Sequence, residues 1–310
     1  MNIAFIGVGG VGGYFGGKMT RLMEDETIHV FFVARGDHYK KILENGLTLE
    51  TKSEGTLHCK PTKVTDNIED LPILDICFIC VKQYDLVSAV KQLESKLTKS
   101  TKIIPLLNGV DIYDRIRAIT KKGVILPACV YVGTHIKEPG IVEQNGGACT
   151  IIFGREPQEE EAECTTLCSL FDRAGIKYIF TEKYKQEIWS KYMFIAAYGL
   201  ITASENMTLG QVYENRETSQ KVKQIMKEIY DISLAEKVNL PENIIDISYH
   251  KAKEFPYEAK TSFHRDYEIK DKKDERDLFG KALVSMGMKY NISTPMIEEV
   301  CNKINKDIMI

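Results

Sequence analysis

The chain opens with a short apolar run that leads directly into a glycine-rich turn, and this stretch constrains the fold more than any other. Residues 2–6 (NIAFI) are typical of a buried strand, and residues 7–12 (GVGGVG) follow without a break. The glycines have the G-x-G-x-x-G spacing that, between a strand and a helix, is the fingerprint of a dinucleotide site. The alternative is a tight turn with no ligand. The strand before the turn and the helical pattern after it, to about Met23, favour the nucleotide site.

Each glycine of the fingerprint has its own purpose. The first makes the tight turn, the second lets the backbone approach a pyrophosphate, and the third lets the helix pack closely on the strand. The helix also directs its N-terminal amides and the positive end of its dipole toward the phosphates. The residues expected to contact the cofactor here are Gly7, Val8, Gly9, Gly10, Val11 and Gly12.

Charge and hydropathy exclude several classes of partner. The net charge is -3 and the isoelectric point is near 6.1, so there is no general electrostatic reason to bind nucleic acid or an anionic membrane. No stretch reaches the roughly 18–20 apolar residues of a membrane span, and the start lacks the pattern of a signal peptide. With 310 residues the chain is long enough for two domains. We expect a cytoplasmic enzyme with no nucleic-acid or membrane partner.

Eight cysteines raise the question of a metal site, because Cys77-x-x-Cys80 and Cys164-x-x-x-Cys168 could together supply four thiolates. The first pair lies within an apolar run that is typical of a buried strand, where residues three apart point to opposite faces. The second pair is four apart in an amphipathic helical segment, where cysteine commonly fills a core. We therefore expect no metal.

Strands and helices alternate through the first part of the chain, which is the pattern of a doubly wound parallel sheet. After the glycine turn, strands are predicted at 29–34, 73–81 and 103–107, with a hairpin at 46–59. Further strands are predicted at 124–133 and 150–153, with a glycine-rich turn at 145–147 between them, then a helix at 159–174 and a strand at 177–180.

From residue 182 onward the sequence is helical throughout. Residues 218–238 carry apolar side chains at helical spacing with lysines and glutamates opposite, and Pro241 stops that helix. The sequence therefore predicts an α/β chain: an N-terminal Rossmann-type doubly wound domain over residues 1–181, and an all-helical C-terminal domain over residues 182–310.

Two basic residues follow predicted strands and indicate which nicotinamide cofactor is bound. Arg35 ends the second strand, where an acidic residue suits the 2'-hydroxyl of NAD and an arginine suits the 2'-phosphate of NADP. Lys82 follows the strand at 73–81, at the edge where ligands of such sheets bind, and could reach a phosphate. Both could also be ordinary exposed side chains, and nearby Asp37 weakens the distinction. The balance favours NADP.

Two further residues are candidates for contact with a substrate. Asn108 follows the strand at 103–107 and carries both donor and acceptor groups, although Asn-Gly is also a common turn dipeptide. Lys191 lies in a helix, residues 183–203, that is apolar nearly all round after Ile188 and should be buried. Burial would lower the pKa of Lys191 and make it a proton donor near neutral pH. The alternative is a lysine whose stem is buried and whose ammonium reaches solvent.

The order and spacing of these motifs resemble those of the ketopantoate reductases (2-dehydropantoate 2-reductases), and the resemblance covers essentially the whole chain. The motifs that carry it are the opening G-x-G-x-x-G, Ala34-Arg35-Gly36-x-His38, Val81-Lys82, Asn108-Gly109, Gly140-Ile141-Val142 with Gly146-Gly147, Trp189-Ser190-Lys191, Thr261-Ser262-Phe263-x-x-Asp266, and Gly287 with Thr294-Pro295.

The resemblance implies an NADP-binding Rossmann domain, a helical domain and an active site in the cleft between them, and it is compatible with a homodimer. Members of the family reduce ketopantoate to pantoate with NADPH, for pantothenate synthesis. Lys191 matches the family's general acid, and Asn108 matches the asparagine that holds cofactor and substrate. Arg35 and Lys82 match the residues that favour the 2'-phosphate, and Ser262 matches the serine that contacts the substrate carboxylate.

Departures from the family pattern concern the substrate. The family usually has asparagines four and eight residues after the lysine, where this chain has Ile195 and Gly199. The family's acidic residue, which binds the substrate hydroxyl, matches Asp274, or Glu275 if the register slips by one; a solvated charge run over residues 271–277 is the alternative for both. We therefore expect an NADP-dependent 2-oxoacid reductase with ketopantoate as the leading substrate. The alternatives are a paralogue acting on another, more apolar 2-oxoacid, and a non-catalytic NADP-binding sensor.

Overall fold

The computed structural model describes residues 1–156, 164–269 and 273–306. The chain divides into two compact units. The first comprises Met1–Leu107 and Asp111–Tyr184, and the second comprises Asn108–Val110 and Lys185–Ile310. The predicted boundary after Thr181 lies close to the division after Tyr184, whereas the grouping of the short segment at 108–110 with the second unit has no signal in the sequence.

Regular elements are numbered in chain order. The strands are β1 Asn2–Ile6, β2 His29–Val33, β3 Leu47–Thr51, β4 Gly55–Cys59, β5 Lys63–Thr65, β6 Ile76–Ile79, β7 Lys102–Pro105, β8 Val124–Ile125, β9 Ala128–Glu138, β10 Ile141–Phe153 and β11 Lys177–Phe180. The helices are α1 Gly10–Met19, α2 Gly36–Asn45, α3 Gln83–Leu93, α4 Ile112–Arg117, α5 Thr165–Ala174, α6 Tyr184–Glu205, α7 Leu209–Glu214, α8 Arg216–Ala235, α9 Ile244–His250, α10 Ser262–Tyr267, α11 Ala282–Tyr290 and α12 Pro295–Lys306. A π-helical turn, Asp277–Lys281, precedes α11.

The first unit contains a six-stranded parallel sheet in the order β5-β2-β1-β6-β7-β8. This order is the doubly wound arrangement, and it confirms the predicted fold class. The central strands β1 and β6 are almost wholly buried, which explains their continuous apolar sequences. Because β1 is flanked by β2 and β6, its carboxyl end lies at the switch point of the sheet, where ligands of this fold bind.

A second, five-stranded sheet in the same unit corrects one sequence prediction. The turn predicted at 145–147 is wrong: β9 and β10 form a long antiparallel hairpin that turns at Gly140, and residues 145–147 lie inside β10. The pairing shifts register between Gln144 and Thr150, and Gly147 has a φ of 78°. Glycines at an irregularity within a strand resemble a turn in the sequence, because both use the same positive-φ backbone.

Helix α1 packs against both sheets, and small residues make this possible. A Cβ at Gly16 would lie 2.9 Å from Cε1 of Phe32 in the first sheet. A Cβ at Gly13 would lie 2.7 Å from Cγ2 of Val142 in the second. The glycines of this helix thus allow the close helix–strand packing that the fingerprint requires.

The second unit is helical, as predicted. Its longest helix, α6, is buried along most of its length, with Tyr192, Tyr198 and Leu200 almost inaccessible to solvent. The apolar stripe predicted for residues 218–238 is the buried face of α8, and the side chain of Asn215 caps that helix. Among the described residues, no helix has both the length and the apolar character needed to span a bilayer.

Candidate functional site

The glycine turn has two packed glycines and one that faces open space. Gly7 has a φ of 93°, and a Cβ there would lie 2.8 Å from the amide nitrogen of Val81. A Cβ at Gly12 would lie 2.3 Å from the carbonyl oxygen of Gly7. In contrast, a Cβ at Gly9 would have no other atom within 4 Å. The open side of Gly9 is the one through which a pyrophosphate could approach the backbone.

Some backbone amides around this turn donate within the protein, whereas those of the first turn of α1 have no intrahelical acceptor. Gly7 and Val8 both donate to the carbonyl oxygen of Val33, so they fix the turn to the end of β2. The first intrahelical bond of α1 is Gly13 N to Gly9 O, at 2.7 Å. The preceding amides, of Gly10, Val11 and Gly12, therefore have no intrahelical acceptor and mark the N-terminal end that suits an anion.

His38, from the Arg-Gly-x-His motif, ties this region to the second sheet. Its Nδ1 accepts a hydrogen bond from the Gly140 amide at 2.9 Å, so in the neutral ring the proton resides on Nε2. Burial lowers the pKa of His38, and the backbone of Val8 offsets part of that effect. The His38 ring thus links the region beside the glycine turn to Gly140, just before β10.

Arg35 and Lys82 lie on the two sides of β1, at the same edge of the sheet. Arg35 follows β2 and Lys82 follows β6, and the ends of both strands pair in register with Ile6. The guanidinium of Arg35 is exposed and donates from Nη1 to Oδ2 of Asp85 at 3.1 Å. Asp37, which weakened the prediction of cofactor preference, is exposed and pairs with Lys40 at 3.0 Å.

Lys191 and Asn108 are in direct contact within the second unit. The Nζ of Lys191 donates to Oδ1 of Asn108 at 2.7 Å, and both side chains are half-buried. This is a charge-assisted hydrogen bond, of the kind that is stronger than one between neutral groups. Because the amide oxygen accepts from the lysine, the amide nitrogen of Asn108 presents donors to other groups.

The face of α6 that carries Lys191 is otherwise apolar. Ile195 lies one turn further along and is half-buried, and Gly199 lies two turns along and is buried. A Cβ at Gly199 would lie 3.6 Å from Cδ1 of Phe263, an ordinary contact distance. Phe263 packs in turn on Phe279, with ring centroids 5.4 Å apart. The helix thus presents one cation followed by an apolar surface that ends at an aromatic ring.

Ser262 is the first residue of α10 and is exposed. The preceding residue, Thr261, caps α10 by accepting from the His264 amide at 3.1 Å. The hydroxyl of Thr261 also bonds to that of Thr202 on α6 at 2.9 Å. This hydroxyl pair fixes the start of α10, and hence Ser262, to α6. Nothing in the sequence indicates the contribution of Thr202.

The two acidic candidates have different surroundings. The Asp274 side chain is 3% exposed, and its carboxylate accepts from Nε of Arg276 at 2.9 Å and from Nη2 at 2.5 Å. Glu275 is also 3% exposed. Neither belongs to a solvated charge run, although part of the run, residues 271–272, lies outside the described residues. The charge of Asp274 is neutralised by Arg276, its neighbour in sequence.

The cysteines occupy packing positions. Cys77 is fully buried in β6, and burial raises the pKa of the thiols of both Cys77 and Cys80 far above the ordinary value. Within the described ranges, no group of three or more His, Cys, Asp or Glu side chains is placed to hold a metal ion.

Together these features define a Rossmann-type α/β protein, with a glycine turn at the switch point of its sheet and a helical unit carrying a half-buried lysine. Comparison with protein families shows which family of this class the chain belongs to. The chain belongs to the ketopantoate reductase PanE/ApbA family of oxidoreductases: the N-terminal family model matches residues 3–158, and the C-terminal model matches residues 183–307.

Individual relatives are distant in sequence but match along nearly their full length. The chain is 23% identical over 300 residues to the uncharacterized oxidoreductase YkpB of Bacillus subtilis, covering 97% of this chain and 96% of that protein. It is 24% identical over 300 residues to the 2-dehydropantoate 2-reductase of Streptococcus pyogenes serotype M3, covering 95% and 94%.

Solved structures show the same fold. A PanE/ApbA family ketopantoate reductase from Ralstonia eutropha superposes with a TM-score of 0.88 at 24% identity, covering 98% of this chain and 97% of that one. D-mandelate dehydrogenase, in a ternary structure with NADH and anilino(oxo)acetate, gives a TM-score of 0.84 at 18% identity, covering 100% of both chains.

Proposed function

We propose that this protein is an NADPH-dependent reductase that converts a 2-oxoacid to the 2-hydroxyacid. The leading substrate is 2-dehydropantoate, and the product is then pantoate, for pantothenate synthesis. Family membership supports the reaction class. The observation that carries the proposal is the hydrogen bond between Lys191 Nζ and Asn108 Oδ1, since it holds a proton donor in place on a largely apolar helix face.

The first unit has the features that a dinucleotide needs. Gly9 leaves open space at the glycine turn, and the N-terminal amides of α1 lie beside it. Arg35 and Lys82 place cationic groups at the same edge of the sheet, where they would attract a 2'-phosphate. NADPH, when bound, supplies the hydride that reduces the substrate carbonyl carbon.

Lys191 would act on the carbonyl oxygen. Its ammonium transfers a proton from Nζ to that oxygen, which becomes the hydroxyl of the product, and the resulting amine recovers a proton from solvent. Before transfer, the positive charge stabilises the negative charge that develops on the oxygen. Asn108 orients the ammonium by accepting one of its hydrogens.

Two further groups would hold the substrate. Ser262, fixed to α6 through Thr261 and Thr202, would donate to the substrate carboxylate. For the substrate hydroxyl the candidates are Asp274 and Glu275, and the Asp274 carboxylate also pairs with Arg276.

A second substrate class is supported by a specific observation. Ile195 and Gly199 supply no polar side-chain groups, and Gly199 lies against the buried ring of Phe263. A polar substrate group that met this surface would lose its hydrogen bonds, whereas an apolar one would not. A 2-oxoacid with a larger apolar side chain is therefore the alternative substrate.

The test is turnover of NADPH by the purified protein, followed by the absorbance of the reduced nicotinamide. Ketopantoate is compared with a panel of branched, linear and aryl 2-oxoacids. Lys191→Ala should lower kcat on the best substrate by about 10²–10⁴-fold. NADPH affinity should stay within about twofold, because the role proposed for Lys191 is at the substrate carbonyl oxygen and the residues assigned to the nucleotide are unchanged.

The matched control is Lys185→Ala, which removes an exposed lysine from the same helix and should leave kcat unchanged. If Lys191→Ala kept kcat within tenfold of the parent, the assignment of the proton donor would be wrong. Turnover of another acid in place of ketopantoate would identify a specificity paralogue. Tight NADPH binding with no turnover of any acid would favour the sensor.

A further inference from the structure

The arginine expected to recognise the 2'-phosphate is already engaged by an acid. Arg35 donates from Nη1 to Oδ2 of Asp85 at 3.1 Å, across a separation of 50 residues in the chain. The Arg35 side chain is 59% exposed and that of Asp85 is 31% exposed. The pair therefore lies at the surface, open to an incoming ligand.

Asp85 is held at this position by its helix. It lies in the first turn of α3, and its amide donates to the Lys82 carbonyl at 2.9 Å. The next residue, Leu86, is 1% exposed and anchors that turn in the core. A carboxylate in the first helical turn is also favoured by the helix dipole. The Asp85 carboxylate thus lies beside Arg35, at the start of the helix that follows Lys82.

We propose that Asp85 is a specificity-determining residue that reduces the preference for NADPH over NADH. The inference rests on the proposed nucleotide binding at the glycine turn. A 2'-phosphate carries a charge of about -1.5 to -2 and would meet Arg35, Lys82 and the opposing Asp85 together. To bind Arg35 it must share the guanidinium with the carboxylate, and two negative groups then lie close together. The 2'-hydroxyl of NADH carries no charge and can donate to a carboxylate, as it does to the acidic residue of NAD-preferring sites.

The alternative is that Asp85 assists binding of the 2'-phosphate instead of opposing it. An ion pair can orient an arginine, and an orienting Asp85 would assist phosphate binding. The exposure of both side chains argues against this, because exposed pairs hold their geometry weakly and contribute little. The carboxylate charge persists whatever geometry the pair adopts, so repulsion of the phosphate is the larger effect.

The experiment measures the dissociation constants of NADPH and NADH for the full chain, by titration of nicotinamide fluorescence, in the parent protein and in Asp85→Asn. The substitution keeps the shape of the side chain and removes its charge. NADPH should bind about two- to fivefold more tightly, from the size of an exposed ion pair. NADH should bind equally or more weakly, so the ratio of the two dissociation constants changes by at least the gain in NADPH binding. The NADPH gain should shrink at high ionic strength.

Asp37→Asn is the matched control, since it removes an exposed acid two residues from Arg35 that pairs with Lys40 instead. It should leave the ratio within twofold of the parent. An unchanged ratio in Asp85→Asn, or weaker NADPH binding, would overturn the proposal. A parent protein that bound neither nucleotide would overturn both this proposal and the proposed function. Binding of both without turnover of any 2-oxoacid would refute catalysis and leave the role of Asp85 testable by the same ratio.

Discussion

A glycine within a long helix lowers stability unless something else requires it, and Gly199 is such a residue. It lies well inside α6, Tyr184–Glu205, where a glycine costs about 0.5–1 kcal/mol relative to alanine. No steric need accounts for it: an added Cβ would meet Cδ1 and Cβ of Phe263 at 3.6 and 3.7 Å, which are ordinary contacts. Gly199→Ala should therefore raise the free energy of unfolding by about 0.5–1 kcal/mol.

The assay is thermal unfolding followed by circular dichroism, where a gain of this size moves the midpoint up by roughly 1–3 °C. The control is Gly287→Ala, another buried helical glycine of the same unit. A Cβ there would lie 2.7 Å from the Ile292 carbonyl oxygen and 2.9 Å from Cγ2 of Thr294, so this variant should lose about 1–3 kcal/mol. If Gly199→Ala were destabilised as much as Gly287→Ala, the reasoning from contact distances would be refuted.

The same variant tests why the glycine is present. If Gly199 leaves room for the substrate beside Phe263, the added methyl group should lower kcat/KM for bulky apolar 2-oxoacids more than for small ones. Stability and activity would then change in opposite directions, as is common when a site retains a locally unfavourable residue for function. Equal effects on large and small acids would show that position 199 does not contact the substrate side chain.

Two further predictions concern stability in the helical unit. Glu228 is 3% exposed and accepts from the amides of Met296 and Ile297, each at 3.0 Å, so Glu228→Ala should cost about 2–4 kcal/mol in urea unfolding. Glu217→Ala, which removes an exposed acid from the same helix, should change the free energy of unfolding by less than about 0.5 kcal/mol. Burial lowers the pKa of His264 below its ordinary value near 6.5, so the unfolded chain binds more protons and stability should fall as the pH drops below about 6.5. His264→Gln should flatten this part of a pH series of unfolding curves, and an unchanged slope would exclude His264 as its source.

Much of the fold could be predicted because its signals are local. The glycine turn, the apolar strands around it and the apolar stripe of α8 each depend on residues close together in sequence. The position of the β9–β10 turn could not be predicted. Glycines at 140 and at 146–147 give similar signals, and only the pairing of the two strands distinguishes a turn from an irregularity within a strand.

The site shows the same division between local and non-local information. Strand ends and helical spacing pointed to Arg35, Asn108 and Lys191 individually, but not to the contact between Lys191 and Asn108 or to Asp85 beside Arg35. Asp85 has no distinguishing feature in the sequence, where an acid in the first turn of a helix is ordinary. Its importance comes from the strand order β2-β1-β6, which brings the end of β2 and the start of α3 to the same edge. Asp37, by contrast, is only two residues from Arg35, yet it faces Lys40. The acid that bears on cofactor choice is therefore the one that the sheet brings near Arg35, and nearness in the sequence is a poor guide to it.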